Sequence, residues 1–212
     1  MYISRVEIDI TNRKKIKELS HLGAFHNWVE RSFTEKFDSN NRVRNLWRID
    51  KLNDKNYLIV ISPEKPDLKC LEEYGVENSA ETKSYDKFLN SIKKGNRMKF
   101  RVILNPVISK SKGKGNKSEV KPHITIEHQI KYLTERSLKN GFSLNENEFS
   151  IVERGCEIFK KKDQKTIKFV KAVYEGILTI EDVDIFKKTL IKGFGKHKAY
   201  GFGMITVIPV VN

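Results

Sequence analysis

From Tyr2 to Ile10 the apolar positions Tyr2, Ile3, Val6, Ile8 and Ile10 alternate with polar ones, the signature of a strand. Thr11 and Asn12 then offer the short polar side chains that cap a helix, which predicts a short helix over 13–19. Gly23 interrupts the pattern. Around it, Leu22, Phe25, Val29 and Phe33 recur at i, i+3, i+7 and i+11, one face of a second helical stretch ending near Phe33. RNLWRIDK (44–51) and YLIVIS (57–62) read as two strands, joined by the hairpin-like segment 52–56 with Asn53 and Asp54. Pro66 suits the first turn of a helix in PDLKCLEEYG, and Gly75 suits its end. A weak strand follows at 81–85.

The second half runs through the same order. MKFRVILNPVI (98–108) reads as a strand, and the Lys/Gly/Ser-rich 109–121 as a mobile loop. A helix is predicted over 125–141, with Ile126, Ile130, Leu133 and Leu138 inward. Two strands follow at 149–160 and 166–180. In the second, Val170, Ala172, Tyr174, Gly176, Leu178 and Ile180 share one face. A helix over 182–191, a Gly-rich loop and a strand at 202–210 complete the chain. No sequence repeat is visible, only a repeated order of elements. The pattern predicts an α+β protein of two tandem ferredoxin-like (βαββαβ, RRM-like) domains, 1–92 and 97–212, with 86–96 as the connection.

Composition narrows the class. With 212 residues and 38% hydrophobic content, the chain has matter for a buried core, which excludes general disorder. Cys70 and Cys156 are too few and too far apart for a disulfide framework or a CxxC metal site. No apolar run reaches membrane-spanning length, and the first 15 residues lack the apolar core of a signal peptide. The expectation is a reduced, cytoplasmic protein. Its formal net charge is +14, and the excess is local. Residues 93–121 carry +9, residues 160–171 carry +5 and residues 187–198 carry +5, while the remainder is net negative. A solvated Lys-rich surface would give the same total, but concentration into three segments suits a polyanion, most often nucleic acid.

Candidate chemistry lies in two places. GFGKHKAYGFGM (193–204) sets Gly193, Gly195, Gly201 and Gly203 around Lys196, His197 and Lys198. Glycine admits a phosphate close to the backbone, and lysine adds charge there. The segment is not a Walker A loop, because no Ser or Thr follows Lys196. Nor is it a dinucleotide fingerprint, because it runs from helix into strand. The histidines, at 21, 26, 123, 128 and 197, form no HExxH or HxH pair, and no DxD run exists, so a metal enzyme is not expected. His26 lies on the margin of the apolar face set by Leu22, Phe25, Val29 and Phe33. One histidine, one cation and a Gly-rich loop suffice for RNA cleavage, in which a ribose 2′-OH attacks its own 3′ phosphate.

Several blocks together resemble the CasE family, the repeat-RNA endoribonucleases of type I-E CRISPR systems. They are MYISRVEIDI, HLGAFHNWVERSF with LWRID, FRVILNP, VYEGILTI with VDIFKKTLIKGFG, and GKHKAYGFGMITVIP. The resemblance spans nearly the whole chain. It implies a metal-independent cut at the 3′ base of the repeat stem-loop in CRISPR precursor RNA, leaving 5′-OH and 2′,3′-cyclic phosphate ends. It implies no cofactor. The partners it implies are the repeat stem-loop and other Cascade subunits, with no membrane and a monomer when isolated. The family's catalytic histidine falls on His26 and its basic partner on Arg31, which an ideal helix points about 140° apart. The tyrosine some members carry three positions before the histidine is here Gly23. The family's RNA-holding hairpin falls on 159–168, with Lys160, Lys161, Lys162, Lys165 and Lys168, and the Gly-rich segment 193–203 belongs to the same expected surface. The departure at Gly23 keeps a second reading, a stem-loop-binding subunit that cuts weakly or not at all. A generic double-stranded nucleic-acid binder is a third.

Overall fold

The computed structural model describes residues 1–33, 44–110, 113, 119–159 and 166–210. Its first sheet is built from β1 (Tyr2–Glu7), β2 (Leu46–Leu52), β3 (Lys55–Ser62) and β4 (Glu81–Ser84). All pairings are antiparallel and the spatial order is β2-β3-β1-β4. This is the ferredoxin-like order. Between β1 and β2 run α1 (Arg13–Glu18) and α2 (Leu22–Arg31). Asn12 caps α1 by accepting from Lys14 N and Lys15 N, as its position in the sequence predicts. The β2–β3 turn places Asn53 and Asp54 at φ 49° and 61°, the left-handed pair that a tight hairpin demands.

The second sheet has the same topology. Its strands are β5 (Arg97–Leu104), β8 (Phe142–Phe159), β9 (Ile167–Ile180) and β10 (Ile205–Pro209), ordered β10-β5-β9-β8. Helices α5 (Ile126–Ser137), capped by Thr125, and α6 (Val183–Lys192), capped by Asp182, cover one face. Buried Tyr132, Leu133, Phe186 and Leu190 pack there against Ala172, Tyr174, Leu178 and Ile180 of β9. The predicted fold class of two ferredoxin-like units therefore holds.

Several predicted elements differ. The helix expected in PDLKCLEEYG shrinks to α3 (Leu68–Leu71): Asp67 rather than Pro66 provides the cap, and the helix closes at Glu72 before Gly75. Residues 86–96 are more than a connection: they form α4 (Asp86–Ser91), whose Leu89, with the following Ile92, enters the core shared with the second sheet. The strand predicted over 98–108 ends at Leu104. After Pro106 the chain enters a separate arm, β6 (Val107–Lys110) paired with β7 (Glu119–Pro122), so the flanks of the predicted loop are strand. On α5, Ile126 and Leu138 are exposed, whereas Gln129 and Ser137 are buried. The buried amide is satisfied, donating to His123 O and accepting from Arg154 Nε.

Arg48, in the LWRID block, joins the two units. It is 1% exposed, chelates Asp50 through Nε and Nη2 at 2.8 and 2.6 Å, and donates to Arg101 O, Met204 O and Thr206 Oγ1. Arg101 Nε donates in turn to Asp50 Oδ1 at 3.0 Å. A strand of the first sheet is thus pinned to two strands of the second.

Candidate functional site

The start of α2 explains Gly23. His21 is the cap, its Nδ1 accepting from Gly23 N at 3.1 Å. A Cβ on residue 23 would lie 2.9 Å from His21 Cε1 and 3.3 Å from Phe159 Cε2. A tyrosine there would have to move the His21 ring that caps the helix. One turn further, half-buried His26 meets the ring of Tyr200 edge to face, with centroids 5.8 Å apart and planes at 75°. Tyr200 belongs to the Gly-rich segment. The structure therefore brings His26 against that segment across the boundary between the two units.

Arg31 faces elsewhere. It is exposed and ion-paired with Glu73, a contact that holds its guanidinium pKa above the ordinary value. The structure does not bring it to His26.

The Gly-rich segment is a tightly packed corner. Gly193, Gly195, Gly201 and Gly203 all have positive φ. At Gly203 a Cβ would sit 2.3 Å from Phe194 O, and at Gly201 it would sit 2.8 Å from Trp47 Cζ3. Gly193 N donates to Thr189 O, Gly203 N to Ile103 O, and Phe194 N to Gly203 O. These donors are used within the fold. Trp47, from β2, donates its Nε1 to Ala199 O at 3.0 Å, so the first unit fixes the loop's position. What the loop presents outward is side chains. Lys196 is exposed and donates to Ser109 Oγ at 3.0 Å. His197 stacks on Phe169 with centroids 3.9 Å apart, and burial pushes its pKa below the usual histidine value. Lys198 is lowered as well, by burial first and then by Arg44 and Lys192. Loss of solvent disfavours the charged amine, and the neighbouring cations add to that effect.

Of the predicted hairpin lysines, Lys168 is exposed on β9 next to Phe169. Lys160, Lys161, Lys162 and Lys165 lie outside the described residues. The charge tally also needs correction in three dimensions. Arg97 pairs with Glu148, Arg101 with Asp50 and Glu175, and Lys171 with Glu153 and Glu157. These cations sit inside the basic segments yet are neutralised at home.

Sequence reasoning missed Tyr200, Phe169 and Asn105, which line one apolar cavity with His197 beside His26. The available signal was an aromatic residue among glycines and lysines in GKHKAYGFG. Nothing in the sequence marked Asn105. Among the described residues, no group of three or more His, Cys, Asp and Glu is placed to hold a metal ion, and no helix is long and apolar enough to cross a membrane.

Two ferredoxin-like units that clasp a Gly-rich corner beside one histidine define the class of fold and site. A family model described as CRISPR associated protein matches residues 1–209, and the chain belongs to that family. The resemblance to CasE carried by the sequence blocks agrees with it. The chain is similar to the CRISPR-associated endoribonuclease Cse3 of Thermus thermophilus, at 24% identity over 220 residues, covering 99% of this chain and all of that protein. Among solved structures it superposes on Cse3 bound to a 19-nucleotide RNA with a TM-score of 0.82, at 22% identity over 99% of this chain and all of the other. It also superposes on a chain of a CRISPR RNA-guided surveillance complex, in its pre-nicking state, with a TM-score of 0.70, at 19% identity and coverage of 99% and 100%.

Proposed function

We propose that this protein is a metal-independent endoribonuclease that cuts CRISPR repeat RNA at the 3′ base of its stem-loop. It then keeps the product as a subunit of the surveillance assembly. Family membership and the likeness to Cse3 support the substrate class. The observation that carries the reading is His26, held against Tyr200 of the Gly-rich corner, two residues from the Lys198 cation cluster.

The chemistry balances without a co-reactant. The 2′-oxygen gives up its proton and bonds to phosphorus, the P–O5′ bond breaks, and the 5′-oxygen takes up a proton. The products are a 2′,3′-cyclic phosphate and a 5′-OH. His26 is the main acid–base group, since imidazole exchanges protons near neutral pH. Lys198, with Arg44 and Lys192, supplies positive charge where the phosphorane builds negative charge. A phosphate among these cations also offsets their mutual repulsion, which after burial is the lesser cause of the lowered Lys198 pKa. Lys168 and Lys196, on the exposed rim, hold the RNA backbone, which is how double-stranded RNA is gripped.

A weaker catalyst that mainly caps the stem-loop is the second reading. Gly23 and the engagement of Arg31 by Glu73 favour it, because both leave His26 with less help. Incubating the protein with a repeat hairpin in EDTA, and analysing the ends, decides. A single cut with cyclic phosphate and 5′-OH ends is expected. Binding without cleavage selects the second reading, and loss of cleavage on chelation overturns the metal-independent one.

A further inference from the structure

A cavity of about 680 Å³ opens between the β6–β7 arm, the start of β9 and the Gly-rich corner. That volume lies in the usual range for small-ligand sites. Its walls are apolar: Val107 and Val120 from the arm, Phe159 and Ile167 from the β8–β9 hairpin, and the rings of Phe169 and Tyr200. Val120 and Ile167 remain 49% and 43% exposed, so the apolar lining reaches solvent. The rings form a continuous wall, with Phe159 and Tyr200 at 4.5 Å and Phe169 and His197 at 3.9 Å between centroids. Exposed Lys168 and Lys196 stand on the rim.

Asn105 lies at the buried end of this cavity, 2% exposed. Its Nδ2 donates to Val170 O at 2.7 Å, which fixes which way the amide faces. Its Oδ1 is buried and has no hydrogen-bond partner among the described residues. The occupant must be flat enough to lie against aromatic rings and must bring negative charge to the lysines. It must also sit next to the reacting centre, because Tyr200 forms the cavity wall on one side and meets His26 on the other.

We propose that the cavity receives one unpaired nucleobase of the RNA, from a nucleotide beside the scissile phosphate. The base lies against the Phe169–His197–Tyr200 wall. This rests on the nuclease reading above and adds to it. Removing that base from the stack turns its ribose and phosphate toward His26, so the cavity orients the bond to be cut. Base–aromatic contact of this kind tolerates any base.

Equilibrium binding of a repeat hairpin, blocked by 2′-deoxy substitution at the cut, tests this directly. Each unpaired position around the cut is replaced in turn by an abasic sugar. At one position the wild-type protein should lose about tenfold in affinity. Val120→Trp fills the cavity from an exposed position and leaves the core intact. It should bind the intact hairpin about tenfold more weakly and be indifferent to the abasic site. A flat abasic profile in the wild type, or a Val120→Trp variant as sensitive as the wild type, overturns the proposal. Cleavage of the unmodified hairpin by the same preparation separates the two failures. If the hairpin is cut while the abasic profile is flat, only the cavity assignment falls. If it is not cut, the nuclease reading falls.

Discussion

Replacing Arg48 by leucine removes the guanidinium that spans the two units. Five hydrogen bonds go with it, two to Asp50 and one each to Arg101 O, Met204 O and Thr206 Oγ1. Leucine fills part of the volume, so the main cost is the stranded Asp50 carboxylate, itself buried and left with Arg101. Breaking a buried pair from one side costs about 3–5 kcal/mol. For a protein of this size each kcal/mol moves the melting temperature by about 2–4 °C, so a fall of roughly 6–20 °C is expected. Thermal and urea denaturation measure it. The double variant Arg48→Leu with Asp50→Leu removes the stranded charge and should recover at least about 1 kcal/mol of the loss. A single variant that loses less than about 1 kcal/mol, the level of an exposed pair, would refute the reasoning. So would a double variant no better than the single one.

Acid should destabilise the fold before carboxylates titrate. His197 and His123 both have pKa values lowered chiefly by burial, so below the ordinary histidine value the unfolded chain binds more protons than the folded one. The melting temperature should hold above about pH 6.5 and fall below it. His197→Asn, which suits the left-handed backbone at φ 61°, should reduce that fall, and an unchanged pH profile would contradict the burial argument. Gly203→Ala should cost about 1–3 kcal/mol in urea denaturation, because the new Cβ meets Phe194 O at positive φ; wild-type stability would count against the packed-corner description. Affinity for the stem-loop should fall steeply with salt, and Lys168→Ala should lower the slope by about one. An unchanged slope would remove Lys168 from the backbone contacts.

The order of elements was legible because strands and helices carry distinct periods, and that order alone restricts the sheet to few topologies. What escaped was short or tertiary. Residues 86–91 make too little helix to show a period, and Leu89 gains its meaning only from the second sheet. The β6–β7 arm was hidden by its Lys/Gly/Ser composition. On α5 the apolar count pointed inward through Ile126 and Leu138, while the fold buries Gln129 and satisfies it with partners 6 and 25 residues away. His26 was identifiable as a candidate from its place on the helix margin. Its neighbour Tyr200 is 174 positions distant, and the docking of Trp47 against the Gly-rich corner, with the bonds from Arg48 to the second sheet, brings the two together. Charge counts likewise located the basic segments but not the acids that neutralise Arg97, Arg101 and Lys171.

The central claim is that His26 carries proton transfer while cations of the second unit hold the RNA. Single-turnover cleavage of a repeat hairpin by the wild type and His26→Ala, with bound RNA measured in the same samples, tests it most directly. The variant should bind the hairpin as the wild type does and cut it at least about a hundredfold more slowly. A variant that cuts at the wild-type rate would contradict it.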